Sequence, residues 1–159
     1  MLRHTTGMPA LDAREDFVRA RRAQLLRRLL GNREGTEPRV LCDVARLPRG
    51  GTRLKVIPLG EIVGTVERTT AFDARFRPAS PLVSARWERI ALAHRTGRSL
   101  PPISVLHAPD GYYVVDGRHR VSVALAYGRD DIDAYVTELH VAVKRQRRPV
   151  GACLRPCPA

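Results

Sequence analysis

The sequence predicts one α+β domain, a small mixed sheet with packed helices, and three observations support this class. Residues 112–139 contain a strand pattern, a tight turn, a helix pattern and a second strand pattern in succession. Other short apolar runs alternate with turns that contain Pro or Gly. A chain of 159 residues with 43% hydrophobic content has room for one packed core. We divide the chain into an N-terminal helix and linker at 1–39, the domain at 40–140, and a basic tail at 141–159 that we expect to be disordered.

The first predicted element is an arginine-rich amphipathic helix that begins at Asp12 and ends before Gly31. Asp12 and Glu15, three residues later, resemble a capping box. The apolar residues of this helix fall near one face, and they are Phe17, Val18, Leu25, Leu26, Leu29 and Leu30. Its arginine-lined surface suits contact with nucleic acid or an acidic partner, or simple solvation, and its wide apolar face suits a homodimer. We expect the helix to be an appendage, joined to the domain by a linker at 32–38.

The middle of the chain is predicted to contain short strands, an ordered loop and a second helix. Residues 40–41 and 55–57 suit strands, and 58–63 suit a turn that leads into a short element. The stretch 72–81, FDARFRPASP, has aromatic residues and two prolines and is interpreted as an ordered loop. Residues 82–94 have apolar side chains at helical spacing, and Trp87 among them is predicted to be a core residue.

A hairpin, a helix and a last strand are predicted in the C-terminal half of the domain. Two prolines introduce a strand at 103–106, and Pro109-Asp110-Gly111 turns the chain into a second strand at 112–115. A helix follows at 118–127, with Gly128 where a left-handed cap belongs, and a strand follows at 132–139.

The five residues Asp116-Gly117-Arg118-His119-Arg120 lie at the turn from strand to helix and predict an anion site, with phosphate as the expected anion. Gly117 allows a close approach of ligand to backbone, and the first N–H groups of the helix point at that ligand. Arg118 and Arg120 can bind phosphate oxygens through two N–H groups each. His119 can donate to the same oxygens or carry a proton. Asp116 either caps the helix or binds a Mg²⁺ ion that bridges the phosphates.

This stretch resembles the ParB/sulfiredoxin superfamily, through YVVDGRHRV at 113–121, AYG at 126–128 and IDAYV at 132–136. The resemblance extends to VIPLGEI at 56–62 and LPPISV at 100–105, and so covers about 53–138. It implies a compact α+β domain whose Gly-x-x-Arg segment binds the phosphates of CTP or ATP, usually with magnesium. Carried over by position, it assigns Gly117, Arg118, His119 and Arg120 to phosphate binding.

The sequence departs from each branch of the superfamily. Segregation proteins of the ParB type continue into a helix-turn-helix domain, whereas this chain ends soon after its first domain. Sulfiredoxins have a catalytic cysteine where this chain has Arg118, so sulfinic acid reduction is not expected. A third branch, kinases of free serine, has a catalytic glutamate upstream, for which Glu61 is the candidate base. ParB-like nucleases need several carboxylates around magnesium, and only Asp116 and Glu61 are candidates here.

The charge of the chain indicates a polyanionic partner. Arginine accounts for 26 of the 28 basic residues, and the formal net charge is +12. Clustered guanidinium groups bind phosphates, so DNA is the expected partner of this surface. The apolar runs are too short for a membrane span and the N-terminus lacks a signal peptide, so we expect a cytoplasmic protein without membrane contact. The three cysteines, Cys42, Cys153 and Cys157, fit reduced thiols there.

These observations predict a DNA-associated protein that binds CTP or ATP and acts as a nucleotide switch or slow triphosphate hydrolase. The phosphate loop is 117–120, Asp116 or Glu61 holds Mg²⁺, and His119 helps to position the terminal phosphate. The alternative enzymes are a magnesium-dependent nuclease and a small-molecule kinase of the free-serine type, in which Glu61 is the catalytic base. A third alternative is a non-catalytic protein-interaction module.

Overall fold

The computed structural model describes residues 5–30, 37–41 and 49–139. These residues form a six-stranded mixed sheet and three α-helices, which confirms the predicted α+β class. The strands are Arg39–Val40 (β1), Arg49–Pro58 (β2), Ile62–Thr65 (β3), Ile103–Ala108 (β4), Gly111–Asp116 (β5) and Asp131–Leu139 (β6). The helices are Pro9–Leu29 (α1), Ser84–Arg95 (α2) and Arg118–Ala126 (α3), and 3-10 turns occupy Leu59–Glu61 and Pro81–Val83.

The sheet has the strand order β1-β3-β5-β4-β6-β2. The predicted hairpin is confirmed, because β4 and β5 pair antiparallel with Ala108 opposite Gly111. Strand β5 also pairs with β3, and this pair is parallel. Strand β6 pairs parallel with β4 and antiparallel with β2, which forms one edge of the sheet. The parallel pairing of β3 and β5 brings their carboxyl ends to the same edge.

Helix α3 packs on one face of the sheet, and α1 and α2 pack beside it. Val121 and Ala124 of α3 are buried against side chains of β4, β5 and β6. Trp87 of α2 is 0% exposed and lies edge-on to Phe17 of α1, with 5.6 Å between ring centroids. Its indole Nε1 donates to the Ser122 hydroxyl of α3 at 2.9 Å, so this one side chain joins all three helices. The prediction that Trp87 belongs to the core is confirmed.

Helix α1 differs from its prediction in both its start and its buried face. It begins at Pro9, since proline suits the first helical turn, and no side chain caps it. Asp12 is not a cap, because its carboxylate accepts from the backbone N–H and the hydroxyl of Thr6. Phe17 is buried as predicted, but Leu29 and Leu30 are 82% and 81% exposed. The helix packs against α2. The domain boundary at residue 39 stays a prediction.

A buried ion network explains why α1 turns polar residues inward. Arg95 of α2 donates to Asp16 at 2.7 and 2.9 Å and to Asp12 at 3.2 Å. The Tyr127 hydroxyl, just after α3, donates to the same Asp16 oxygen at 2.6 Å. Buried charges are tolerated when they are paired and hydrogen-bonded, as these are. Burial raises the pKa of Tyr127 to about 12, and the Asp16 carboxylate adds to this rise.

Some predictions fall outside the described residues. These are most of the linker at 32–38, the basic tail at 141–159, and the three cysteines Cys42, Cys153 and Cys157. Within the described ranges, no helix is both long enough and apolar enough to cross a bilayer.

Candidate anion-binding site

The turn between β5 and α3 requires a glycine. Gly117 is the N-cap of α3 and has φ 106° and ψ 17°, in the left-handed region. A Cβ at this position would lie 2.5 Å from Cγ2 of Ile103, a fully buried residue of β4. Both the dihedral angle and the lack of space exclude other side chains. The sequence prediction that the turn depends on Gly117 agrees with this geometry.

The N-terminus of α3 has no side-chain cap. Gly117 has no side chain, and Asp116 makes no capping hydrogen bond, so the predicted capping role of Asp116 is wrong. The N–H of Val121 bonds to the Gly117 carbonyl at 3.0 Å. The N–H groups of the first helical turn precede this bond and have no partner within the helix. Together with the helix dipole, they form a site suited to an anion.

The site lies at the carboxyl edge of the parallel strands β3 and β5. Thr65 at the end of β3 is opposite Val114, and Glu67 follows two residues later. The carboxylate of Glu67 accepts from Nη2 of Arg118 at 3.3 Å. Sequence reasoning missed Glu67, since only the register of β3 against β5 brings residue 67 beside residue 118. That register carries no signal in the local sequence.

Arg118 is the arginine of the motif that remains accessible. Its side chain is 27% exposed and that of Glu67 is 75% exposed. Ion pairs with an exposed partner contribute at most about 1 kcal/mol, so an incoming phosphate can displace Glu67 at little cost. The guanidinium lies beside the open helix N-terminus and can add charge to it.

Arg120 has a structural role that the sequence did not predict. Its Nη1 donates to the backbone carbonyls of Pro101 and Pro102, at 2.5 and 2.7 Å. Its Nη2 donates to the Asp116 carboxylate at 2.7 Å, and its side chain is only 11% exposed. Two of its nitrogens are thus held by protein acceptors, and the predicted binding of phosphate by Arg120 stays a prediction. Its donors join α3 to the segment before β4.

His119 is a neutral imidazole in a cationic environment. Its ring lies edge-on to Phe72 of the 72–81 loop, with 5.1 Å between centroids. Burial lowers the pKa of His119 to about 4, and the charges of Arg86 and Arg118 lower it further, while Asp116 opposes them. At pH 7 the ring is neutral and can donate one N–H to an oxygen. Arg86, an exposed residue of α2 that was not singled out from the sequence, lies near enough for its charge to act on His119.

Glu61 is not brought to this site. Its backbone carbonyl lies against Gly111 at the start of β5, and the adjacent Ile62 pairs with Tyr112. Asp116 lies four residues beyond Tyr112, about 13 Å along the strand at about 3.3 Å per residue. Glu61 and Asp116 therefore lie at opposite ends of β5, too far apart to hold one magnesium ion together, and the predicted role of Glu61 as a catalytic base stays a prediction.

The donors that could hold a magnesium ion are Asp116 and Glu67. Both are exposed carboxylates at the same edge of the sheet. No group of three or more His, Cys, Asp or Glu side chains suited to a metal occurs within the described residues. Mg²⁺ commonly binds through one or two carboxylates together with phosphate oxygens and water, so two carboxylates fit this ion when it arrives with a nucleotide.

A solved structure of sulfiredoxin from Arabidopsis thaliana is similar to the chain, with 19% sequence identity and a TM-score of 0.35. The match covers 53% of this chain and 83% of the sulfiredoxin chain. No protein-family model and no curated protein matches the chain. The site described above rests on the geometry of the chain's own residues.

Proposed function

We propose that the chain binds a nucleoside triphosphate, CTP or ATP, with its phosphates at the N-terminus of α3. One observation carries the proposal: the helix begins at a glycine, and among the described residues no side chain accepts from its first N–H groups. Phosphate oxygens are acceptors of the kind that such groups bind, and the helix dipole adds partial positive charge.

Arg118, Arg86 and His119 extend this backbone site. Arg118 reaches from the first turn of α3, while Arg86 lies on α2 and is exposed. Two guanidinium groups can neutralise much of the charge of a triphosphate and bind its oxygens in pairs. His119 contributes a neutral N–H donor, which helps to position the terminal phosphate. A bound phosphate raises the pKa of this imidazole, because its negative charge opposes the effect of the two arginines.

Magnesium enters this proposal as the companion of the nucleotide. Asp116 and Glu67 would hold it at the carboxyl edge of β3 and β5, and the ion would neutralise phosphate charge there. Both carboxylates form ion pairs with arginines, Asp116 with Arg120 and Glu67 with Arg118. Binding of the nucleotide therefore exchanges the Arg118–Glu67 pair for Arg118–phosphate contact and releases Glu67.

Nucleotide binding with slow or no hydrolysis suits this arrangement better than phosphoryl transfer. A kinase requires a base beside the attacking hydroxyl, and Glu61 lies at the far end of β5. A nuclease requires several carboxylates around its metal, and Asp116 and Glu67 are the two that the described residues place at this edge. We therefore favour a nucleotide switch or a slow hydrolase. If no nucleotide binds, the protein-interaction module becomes the better description.

Association with DNA is the second part of the proposal. The net charge of +12 supports it, as do exposed arginines on α1, which are Arg14, Arg19, Arg22, Arg27 and Arg28. Such a surface binds the phosphate backbone and releases counterions, so affinity for DNA falls steeply as salt is raised. A homodimer through the exposed leucines of α1 stays a prediction.

Calorimetric titration with CTP, ATP and GTP, with and without magnesium, tests the nucleotide site. Arg118→Ala is expected to weaken the preferred triphosphate about 10- to 100-fold, the effect of one charge-assisted phosphate contact. Arg53→Ala is the matched control, because Arg53 is an exposed arginine on β2, the edge strand three positions from β5. It removes the same charge and is expected to leave affinity within about twofold.

Equal losses in the two variants would show that net charge alone attracts the nucleotide, and would refute a site at α3. Absence of binding by every triphosphate, with the protein folded, would refute nucleotide binding itself. DNA affinity measured against salt concentration reports separately on the basic surface.

A further inference from the structure

A concave site lies away from the N-terminus of α3. It is a cavity of about 860 Å³ between α1, the loop around residues 74–78, the turn at 59–62 and the end of α3. Small-molecule sites in proteins have volumes of about 300 to 1,000 Å³, so this cavity has the size of a ligand site. Its lining on α3 runs from Ser122 to Gly128. At 1.5 Å per residue, Leu125–Gly128 lie about 12 Å or more from Gly117.

The wall of the cavity is apolar and held in a strained backbone conformation. Ile62 and Leu125 are the larger apolar side chains of its lining that stay partly exposed, and the buried Leu59 and Phe76 lie behind them. Phe76 has φ 56°, a left-handed conformation that non-glycine residues seldom adopt, and its side chain is 2% exposed. Strained residues of this kind cluster at ligand sites, where the surrounding structure holds them in place.

Asp73 is the residue that holds this loop. Its backbone carbonyl accepts from Phe76 N–H at 2.8 Å, and its carboxylate accepts from the N–H groups of Arg75 and Arg77 at 2.9 and 2.8 Å. Three hydrogen bonds to one residue fix the loop before any ligand arrives. The cavity is thus a preorganised site.

The charged groups around the cavity favour an anion. Arg19, Arg75 and Arg77 all line it, together with one acid, Asp16. The Asp16 carboxylate already accepts from Arg95 and from Tyr127, and Arg19 lies 3.6 Å from it, beyond hydrogen-bond distance. Arg77 likewise lies 3.9 Å from the Asp73 carboxylate. Burial lowers the pKa of Arg77, the Asp73 carboxylate raises it, and neighbouring arginines lower it further. A bound anion would therefore stabilise the charged form of this guanidinium.

We propose that this cavity binds a small organic anion with an apolar body and a single carboxylate or phosphate group. The apolar body packs against Ile62 and Leu125, and the anionic group binds between Arg77 and Arg19. The proposal does not depend on the nucleotide site, because the two regions contact opposite ends of α3.

Fluorescence titration with 1-anilinonaphthalene-8-sulfonate, an apolar anion, tests this site on the full chain. The probe is expected to bind with one-to-one saturation, and Ala23→Trp, which fills the cavity from α1, is expected to weaken it about tenfold or more. Ala10→Trp is the matched control, since Ala10 is exposed on the same helix and is not part of the cavity lining. It should leave the affinity unchanged. Circular dichroism establishes that each variant is folded.

Arg77→Gln and Arg19→Gln test whether the two arginines bind the anionic group of the ligand. They also test the site if Ala23→Trp does not fold. Each is expected to weaken the probe about three- to tenfold through loss of one charged contact. Decanoate and phenyl phosphate compete for the cavity, and whichever displaces the probe at lower concentration identifies the preferred anionic group. ATP with magnesium should not displace the probe.

Three outcomes would overturn the proposal. The first is equal binding by Ala23→Trp and Ala10→Trp, which would place the probe elsewhere on the surface. The second is displacement by inorganic phosphate as effectively as by decanoate, which would show that the apolar wall contributes nothing. The third is displacement by ATP with magnesium, which would place the probe at α3.

Discussion

Gly117→Ala is the substitution whose effect the structure determines most completely. The new methyl group would lie 2.5 and 2.8 Å from Cγ2 and Cβ of Ile103, closer than real carbon contacts. Ile103 is fully buried in the sheet and has no room to retreat. The backbone at residue 117 would also have to keep φ 106°, which alanine disfavours.

The two effects can be given magnitudes. A left-handed conformation costs an ordinary residue about 1 to 2 kcal/mol, and an overpacked core costs about 1 to 3 kcal/mol. Gly117→Ala should therefore lower the free energy of unfolding by about 2 to 5 kcal/mol, a large part of the stability of a domain of this size. A variant that relieves the clash by moving the turn would also disturb the first N–H groups of α3 and weaken triphosphate binding.

Urea denaturation of three glycine variants separates the two effects. Gly60 has ordinary backbone angles and open space around its Cβ position, so Gly60→Ala should have little effect. Gly128 has φ 64° but equally open space around its Cβ position. Gly128→Ala should therefore lower the free energy of unfolding only by the cost of the left-handed conformation, about 1 to 2 kcal/mol. Gly117→Ala should show the largest decrease in the free energy of unfolding. Equal stability of the Gly117 and Gly128 variants would refute the contact with Ile103, and an unaffected Gly117 variant would refute the geometry of the turn.

Three further predictions concern the charged groups around the helices. Arg120→Ala should lower the free energy of unfolding by about 2 to 4 kcal/mol, because the Pro101 and Pro102 carbonyls and Asp116 lose their donor; urea denaturation measures this, and unchanged stability would contradict it. The pKa of His119, measured by NMR titration of the imidazole, should be about 4 and should rise when a triphosphate binds. Between the ordinary value of 6.5 and about 4, the unfolded state binds a proton that the folded state does not. Folded protein should therefore lose stability as pH falls through that window, and His119→Gln should lose less; equal losses would contradict the assignment. Asp16→Asn should lower the free energy of unfolding by about 2 to 4 kcal/mol and bring the pKa of Tyr127 down toward its ordinary value, as followed by ultraviolet titration; a Tyr127 pKa that does not move would show that Asp16 is not its partner.

The elements of the C-terminal half follow from local sequence signals. The β4–β5 hairpin, α3 and β6 were predicted within one or two residues of their observed ends. Turn residues and changes in the spacing of apolar residues determine structure over a few positions, so these elements can be predicted from the local sequence. The need for Gly117 was visible for the same reason, because a strand that turns at once into a helix requires an unusual backbone angle there.

The composition of the site depends on contacts between distant residues. The parallel register of β3 and β5 brings Glu67 beside the motif. The same register places Glu61 at the other end of β5. Arg118 and Arg120 are chemically identical in the sequence, yet only Arg120 meets the carbonyls of Pro101 and Pro102. These assignments require the tertiary structure, because secondary-structure propensity and residue spacing do not determine which strands pair.

The buried face of α1 could not be predicted from apolar periodicity. Leucines make up four of the six residues of its predicted apolar face. However, α2 presents Arg95 to the helix, which turns Asp12 and Asp16 inward to meet that charge. Tertiary pairing of charges thus outweighed the apolar face of an isolated helix. The leucines near the end of the helix remain exposed as a result.

The most direct test of the phosphate site is a two-dimensional NMR titration of backbone amides with the triphosphate that binds best. Binding at the N-terminus of α3 should shift the amide signals of residues 117–120 most strongly, because their N–H groups would donate to phosphate oxygens. Signals of Gly128 and of the 59–62 turn should move little. The largest shifts on α1 or on the β2 edge, with residues 117–120 unchanged, would contradict a phosphate site at this helix.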